Sequence, residues 1–534
     1  GKELSMKDKF LRGAFILTVA GLVVKIFGSV NRIILSRLLG GEGIGLYQMA
    51  YPFYLLMLSI SSAGVPVAVS IIVAEKVARD DYAGAHKVFK VTLKLMMVFG
   101  LIFALFLYGM AGIMVDYGFI RDSRAYLPLV VLTPAVFFSS ILASFRGYFQ
   151  GYQLMTPPAV SQILEQFVRV IAMVVLAYLL LPYGLTYAAA GAAFGAIPGS
   201  LAGLVVLSYF YHRARKTWQA KSTDKITESE EKLMQLAKRL VLLAIPVSCA
   251  NLLIPVTSSI DMIMVPNCLG RAGFDVAEAT TLFGYLSGMA QPLLMMSLIP
   301  TISIAASLVP SVSAAFTMGT MAEIKDKTLV ALKLCLLITL PATLGMCALA
   351  APISRVLYGT IKAAEVIANL APSIVFLGIF QVTTGALQGM GLTAVPMWNM
   401  VLGACVRIVA LWFLTSWPVL NIAGAAWASN LNYLVVAVIN MYFLYRKKIE
   451  FPWGCCSKTL LAAVIMGVLS RLGYVLILPY MGVVLSLLFA VVVGALVYVV
   501  LVLQLGIMTA AEVAKLPLLG TKLQRFVRTK KVVK

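Results

Sequence analysis

Residues 145–171, FRGYFQGYQLMTPPAVSQILEQFVRVI, occur a second time in the chain in altered form. Residues 383–409 read TTGALQGMGLTAVPMWNMVLGACVRIV, and eight of the 27 positions are identical at a shift of 238. Chance identity at ordinary residue usage is roughly two in such a window. In each copy an apolar helix ends at Gln-Gly, a loop turns at proline, and a second apolar helix carries one arginine. The chain therefore contains an internal repeat, with Arg169 and Arg407 at the same place in its two copies.

The composition is that of a membrane protein. Of 534 residues, 61% are hydrophobic and 12% are charged, which is too little charge to keep a soluble surface hydrated. The net charge of +22 does not indicate a nucleic-acid partner, because the basic residues concentrate in alternate loops. The seven cysteines and two histidines show no metal-ligand spacing, so neither a metal nor another cofactor is expected.

No catalytic motif stands out. Patterns of the GxxxxGK[ST] and HExxH types are absent from the sequence, so we expect neither a nucleotide loop nor a zinc protease site. The expectation is a protein that is not an enzyme. Without an ATP site, any transport would draw on the membrane potential, an ion gradient or the supply of substrate.

Fourteen apolar segments are long enough, at about 20 residues each, to span a bilayer as α-helices. Numbered as spans 1 to 14, they are residues 10–39, 45–74, 88–112, 125–149, 157–182, 186–212, 236–265, 279–312, 327–351, 364–389, 394–416, 421–445, 457–478 and 482–505. The sequence AGAAF at residues 190–194 opens span 6, and AGAAW at residues 423–427 opens span 12. Spans 1–6 and 7–12 are therefore two copies of one six-helix unit.

The repeat predicts the architecture. Six is an even number, so both copies have the same orientation and are related by a pseudo-twofold axis along the membrane normal, with a site near the midplane between two lobes. The fold class is an all-α polytopic membrane protein in which spans 13 and 14 stand outside the repeat. The predicted domains are a first lobe, a polar cytoplasmic linker, a second lobe, the two extra helices and a basic cytoplasmic tail, at residues 1–212, 213–235, 236–446, 447–505 and 506–534.

The basic residues predict the orientation. With both termini in the cytoplasm, the cytoplasmic segments hold 32 lysines and arginines and the outer loops hold five. Such an excess is the signature of the positive-inside rule. We therefore expect a multi-pass membrane protein with both termini in the cytoplasm, and a monomer. The basic tail is interpreted as a polybasic retention segment without a specific function, and the alternative is that it contacts anionic lipids of the inner leaflet.

Of the 43 basic residues, six are assigned to neither side of the membrane and lie inside apolar segments, and the candidate binding residues are among them. The six are Lys25, Arg32, Arg37, Arg169, Arg407 and Arg471. Charges cannot face lipid cheaply, so they line wet cavities and mark functional sites. Lys25 and Arg32 are seven residues apart on span 1 and share one face. With Arg169 and Arg407 they form a basic set suited to an anion, since the guanidinium fork binds a diphosphate bidentately. The alternative is that these cations only bond backbone carbonyls at helix breaks.

Buried acids are fewer. They are Glu165 on span 5 and Asp261 on span 7, with Glu75 at the inner end of span 2. Glu165 and Arg169 are four residues apart, a spacing at which helical side chains pair. These acids and Arg146, at the inner end of span 4, are the candidate coupling or gating residues.

The two lobes, the FRGYFQGYQLMTPPAVSQILEQ stretch and VKIFGSVNRIILSRLLG in span 1 resemble the multidrug/oligosaccharidyl-lipid/polysaccharide exporter superfamily. The chain is most similar to its stage V sporulation protein B branch, related to the MurJ lipid II flippases. The resemblance implies a protein of the bacterial plasma membrane that flips an undecaprenyl-diphosphate-linked sugar across it by alternating access. It implies that Lys25 lines the cavity, while the next such basic position falls on Asn31, beside Arg32. It also implies that spans 13 and 14 form a groove for the lipid tail.

A second function class stays open at this point. A cation-coupled multidrug antiporter of the same superfamily needs an acidic cavity and usually has twelve helices, whereas this chain has a basic set and fourteen spans. Within the flippase interpretation, the sequence leaves open lipid II, a spore-cortex precursor and another polysaccharide unit. It also leaves open the coupling ion.

Overall fold

The computed structural model describes residues 6–222 and 232–507. Within these ranges the chain is almost wholly helical and contains no strand, which confirms the all-α fold class. Residues 508–534 of the predicted tail and 223–231 of the predicted linker lie outside the described residues. The helices α1 to α18, joined in places by short 3-10 or π-helical turns, are Met6–Ser62, Val65–Ala78, Tyr82–Asp116, Tyr126–Gly151, Thr156–Leu180, Leu185–Phe194, Ala196–Ser222, Leu233–Asn251, Leu253–Arg271, Val276–Phe283, Gln291–Ser297, Ile299–Thr317, Met321–Tyr358, Ala364–Leu370, Pro372–Gly389, Ala394–Ala410, Asn421–Arg446 and Trp453–Gln504.

The described part of the chain has twelve helical stretches that are long and apolar enough to cross a membrane. Two of them, Phe15–Ala78 and Trp453–Gln504, have 64 and 52 residues, more than twice the length of about 20 that one crossing needs. Each is kinked at a glycine with positive φ, Gly40 at 69° and Gly482 at 74°. Glycine reaches this conformation without a steric penalty, so each pair of helices turns back without a separate loop. With these two counted as double crossings, the predicted fourteen spans are present.

Five predicted spans are interrupted, although the sequence suggested continuous segments. Span 2 is divided between α1 and α2, span 6 between α6 and α7, span 7 between α8 and α9, span 8 into α10, the π-helical segment Gly284–Ala290, α11 and α12, and span 10 between α14 and α15. Prolines lie at or near the restart of four of these helices, at Pro66, Pro255, Pro300 and Pro372. Proline has no N–H to donate and clashes with the preceding turn, which explains why the helices stop before it.

The chain folds as two compact units, Gly1–Gly288 and Met289–Lys534. The first unit includes residues 236–288, which the repeat assigns to the second lobe. The cause lies in α8, which packs on α2. Arg239 of α8 pairs with Glu75 of α2, and the backbone N–H of Gly64 donates to Ser248 Oγ at 2.9 Å. The lobe boundary at residue 236 stays a prediction.

In the second unit, α18 packs along α13. A buried apolar cluster joins the two helices, consisting of Leu349, Tyr474, Leu487 and Ala490. Arg471 of α18 donates to the backbone carbonyl of Ala348 at 3.2 Å. The unrepeated spans 13 and 14 are therefore attached to one helix of the unit, and much of their remaining apolar surface is exposed.

Glycines recur every four residues from α6 to α7, at Gly191 of α6, at Gly195 between the two helices, and at Gly199 and Gly203 of α7. Small residues at this spacing let two helical backbones approach closely. A Cβ built at Gly199 would lie 2.8 Å from the Cβ of Arg169 and 2.9 Å from the backbone oxygen of Glu165. The glycine row therefore brings α5, with its charged residues, against α7.

Gly199→Ala should lower the free energy of unfolding by about 1–3 kcal/mol, because the added methyl overpacks the contact with the α5 backbone. Thermal unfolding of the purified protein in detergent measures the change. Gly109→Ala on α3 is the matched control, since a Cβ there meets nothing within 4 Å, and it should be neutral or slightly stabilising. Equal unfolding temperatures for the two variants would contradict the packing argument.

Candidate functional site

A carboxylate on α5 is held by two arginines. Glu165 Oε2 accepts from Arg146 Nη2 of α4 at 2.5 Å, and Glu165 Oε1 accepts from Arg169 Nη2 at 2.9 Å. Arg146 Nε also donates to Ser161 Oγ at 3.2 Å. The three charged side chains are 13–17% exposed, so the cluster lies largely inside the first unit. The predicted pairing of Glu165 with Arg169 is confirmed, and Arg146 joins it.

The guanidinium of Arg169, besides its ion pair with Glu165, has neighbours on α1. Its Nε is buried and finds no hydrogen-bond acceptor among the described residues. The guanidinium lies within Coulombic range of Tyr47, Tyr51 and Tyr54 in the second half of α1. One edge of Arg169 is thus used by Glu165, while another remains available for a further acceptor.

Arg32 lies over the same group of tyrosines. Its Cζ is 4.9 Å from the ring centroid of Tyr47 and 5.0 Å from that of Tyr51. Its Nη1 is buried without an acceptor in the described part of the chain. Tyr47 is within Coulombic range of both Arg32 and Arg169. Arg32 and Arg169, which the sequence placed on different spans, therefore share Tyr47 as a neighbour in the structure.

Asn31 turns the other way from Arg32. It is 3% exposed, and its Nδ2 donates to Met173 Sδ of α5 at 3.2 Å. Its Oδ1 is a buried acceptor without a donor among the described residues. Asn31 therefore contacts α5, whereas Arg32 contacts the tyrosines of α1.

Lys25 does not join the buried cluster. It is exposed, two helical turns before Arg32, which is a rise of about 10 Å along the axis. The shared face that the sequence predicted for these two residues follows from helix periodicity. A role for Lys25 in binding stays a prediction.

The remaining acids lie elsewhere in the first unit. Glu75 pairs with Arg239, and with Arg79 at 3.4 Å. Its carboxylate therefore joins α2 to α8 and is neutralised by two arginines. Asp261 lies on α9 and is 6% exposed. Among the described residues, no group of three or more His, Cys, Asp or Glu side chains could hold a metal ion.

Arg407 belongs to the second unit and is 3% exposed on α16. At the repeat shift of 238, the position of Glu165 is occupied by Gly403. A Cβ at Gly403 would collide with the amide oxygen of Asn432 on α17. A neutral amide therefore fills the space at the position where the first copy carries its carboxylate.

In the second copy, the residues that correspond to Ser161 and Arg146 are joined through neutral hydrogen bonds. Asn399, which corresponds to Ser161, donates through Nδ2 to Asn440 Oδ1 at 2.7 Å. Asn440 Nδ2 donates in turn to Thr384 Oγ1 at 3.0 Å, and Thr384 corresponds to Arg146. The two repeat copies have kept one arginine in common and differ in the groups that surround this position.

The tyrosines of α1 were not predicted as site residues. Their signal is the spacing of Tyr47, Tyr51 and Tyr54 in the sequence YQMAYPFY, which places three rings on one helical face. Aromatic residues at helical spacing in an apolar segment usually indicate core packing. Nothing in the sequence showed that Arg32 would lie over two of these rings.

A second charged cluster holds the loop between α3 and α4. Asp122 is 1% exposed and accepts from Thr280 Oγ1 at 2.7 Å and from Arg124 Nη2 at 2.8 Å. Arg124 Nη1 also donates to Glu42 Oε1 at 2.6 Å. Burial by itself raises the pKa of Asp122, but the bonds from Arg124 and Thr280 outweigh it and hold that pKa below its usual value. The cluster therefore ties this loop to α1 and α10.

Comparisons with known proteins give a family and a fold. Residues 10–316 match the family described as "Polysaccharide biosynthesis protein". Stage V sporulation protein B of Bacillus subtilis (strain 168) is 32% identical over 435 residues, 81% of this chain and 83% of that protein.

Two solved structures are also similar. "Lipid II flippase MurJ, inward closed conformation" has a TM-score of 0.68 and 15% identity, covering 91% of this chain and 98% of that one. An inward-facing multidrug resistance MATE family transporter of the MOP superfamily has a TM-score of 0.64 and 16% identity, covering 80% and 94%. At such identities the likeness shows the fold alone.

Proposed function

Because the chain belongs to the polysaccharide biosynthesis protein family, within the multidrug/oligosaccharidyl-lipid/polysaccharide exporter superfamily, we propose that it moves a lipid-linked sugar diphosphate across the plasma membrane. The observation that carries the proposal is the pair Arg32 and Arg169. Each guanidinium has one buried nitrogen, Nη1 and Nε respectively, without an acceptor among the described residues. A diphosphate offers charged oxygens that match such donors.

The charge of the cluster favours an anion. Arg146 and Arg169 both donate to the carboxylate of Glu165, and Arg32 adds a positive charge that, like Arg169, lies within Coulombic range of Tyr47. A cation antiporter would need a carboxylate that can take up and release its ion. Glu165 could do so only by leaving both arginines, and Asp261 is the other candidate acid for that alternative. The anionic substrate is therefore the better fit, and the antiporter is the alternative.

The printed names of similar proteins support the proposed class of substrate. One is named for sporulation, and a structural neighbour is named as a lipid II flippase. An undecaprenyl-diphosphate-linked sugar, such as lipid II or a related cell-wall or spore-cortex glycan, is the proposed substrate, moved by alternating access. The exposed apolar surface of α18 is the proposed contact for its polyprenyl chain.

The orientation can be tested with single cysteines in a background that lacks the seven native ones. Thr217 and Lys362 are both exposed and lie in segments predicted to face opposite sides of the membrane. With both termini in the cytoplasm, Lys362→Cys should react with an impermeant thiol reagent in intact cells, and Thr217→Cys should be protected. The opposite labelling pattern would overturn the proposed topology.

Variants of the two arginines test the binding role. Arg32→Ala and Arg169→Lys should each insert in the membrane and lose transport, because truncating a buried hydrogen-bonded charge costs about 2–5 kcal/mol. That energy corresponds to at least about tenfold weaker binding. Arg169→Lys keeps the charge but loses the fork that reaches two acceptors. Complementation of a strain depleted of its lipid II flippases, at matched membrane levels of each variant, is the measurement.

Arg471→Ala is the matched control for these variants. Arg471 is also an arginine in an apolar helix, but it is exposed and bonds the carbonyl of Ala348 on α13. The variant should complement nearly as well as the unchanged protein. Full complementation by both Arg32→Ala and Arg169→Lys would show that neither arginine is needed for transport, and it would contradict the proposal.

A further inference from the structure

The guanidinium of Arg32 lies against two aromatic rings. The rings of Tyr47 and Tyr51 have centroids 5.4 Å apart and planes 22° apart, so they are close neighbours with nearly parallel planes. Both centroids are about equally distant from Arg32 Cζ, at 4.9 and 5.0 Å. The two tyrosines are four residues apart on one helical face, so the backbone of α1 fixes their mutual position.

A contact of this kind orients a cation without using its hydrogen bonds. The ring quadrupole attracts the guanidinium, most strongly where water is excluded. Tyr47 is 3% exposed, whereas Tyr51 is half-buried, so one ring is firmly packed and the other borders a more open space. The N–H groups of Arg32 remain available for a ligand, in agreement with the buried Nη1 that has no acceptor in the described part of the chain.

The same face of α1 extends to the second cation. Tyr54 is fully buried and forms a ring contact with Tyr51, at a centroid distance of 5.7 Å. All three tyrosines lie within Coulombic range of Arg169, whose own position is fixed by Glu165. Arg169 is therefore held by an ion pair, while Arg32 has aromatic rings in the corresponding role.

We infer that Tyr47 and Tyr51 are positioning residues, which hold the guanidinium of Arg32 so that its N–H groups point at the diphosphate of the substrate. The inference rests on the proposed function and adds residues to the same site. The rings, rather than the hydroxyl groups, carry this role. Tyr51 is the better residue to change, because it is less buried than Tyr47 and its loss disturbs packing less.

The test measures the Kd for undecaprenyl diphosphate with the full-length protein in lipid nanodiscs. Tyr51→Leu removes the ring and should weaken binding about tenfold, the size of a desolvated cation–π contact. Tyr51→Phe keeps the ring and should bind within about twofold of the unchanged protein, since the ring face and not the hydroxyl attracts the cation. Arg32→Lys keeps the charge but loses the planar group, and it should bind about tenfold more weakly.

A double variant separates positioning from general structural damage. If Tyr51 acts through Arg32, Tyr51→Leu should have almost no further effect on the Kd in an Arg32→Ala background. Equal and additive losses in both backgrounds would overturn the inference, as would unchanged binding by Tyr51→Leu or by Arg32→Lys. Failure of the unchanged protein to bind undecaprenyl diphosphate is a different result, and it would overturn the proposed function itself.

Discussion

A guanidinium inside an apolar helical bundle must be compensated by protein groups, because hydrocarbon offers neither charge nor hydrogen bonds. The first unit supplies that compensation in two ways. Arg169 and Arg146 share the carboxylate of Glu165, and Arg32 lies over the rings of Tyr47 and Tyr51. The packing of α5 that positions Arg169 depends on the glycines of α7. The proposed anion site is the result of these compensations, since Arg32 and Arg169 each keep one guanidinium nitrogen without an acceptor in the described chain.

The sequence predicted the features that periodicity and charge encode. The repeat and the hydropathy gave the helical class and the fourteen crossings, and the four-residue spacing gave the Glu165–Arg169 pair. It could not give the contact of Arg146 with Glu165, since that depends on how α4 and α5 align in three dimensions. The role of the tyrosines could not be predicted, because aromatic residues in an apolar helix are equally consistent with core packing. The helix interruptions were missed because proline is also tolerated inside membrane helices, as Pro134 of α4 shows.

The two copies of the repeat show how one scaffold is used differently. Arg169 and Arg407 occupy equivalent positions, but the first copy pairs its arginine with a carboxylate and the second has Gly403 at that place. The amide of Asn432 fills the space beside Gly403, and Asn399, Asn440 and Thr384 are joined by neutral hydrogen bonds. The positions of Glu165 and Arg146 are thus occupied by neutral residues in the second copy, and the proposed ligand site lies in the first unit.

The central claim is that the site selects a negatively charged group. Competition between two ligands tests it most directly, with the purified protein in nanodiscs presented with undecaprenyl diphosphate and with tetraphenylphosphonium, an organic cation. If the site selects anions, the diphosphate binds, its affinity falls as ionic strength rises, and the cation neither binds nor competes. Binding of the cation together with no binding of the diphosphate would contradict the account and favour the antiporter.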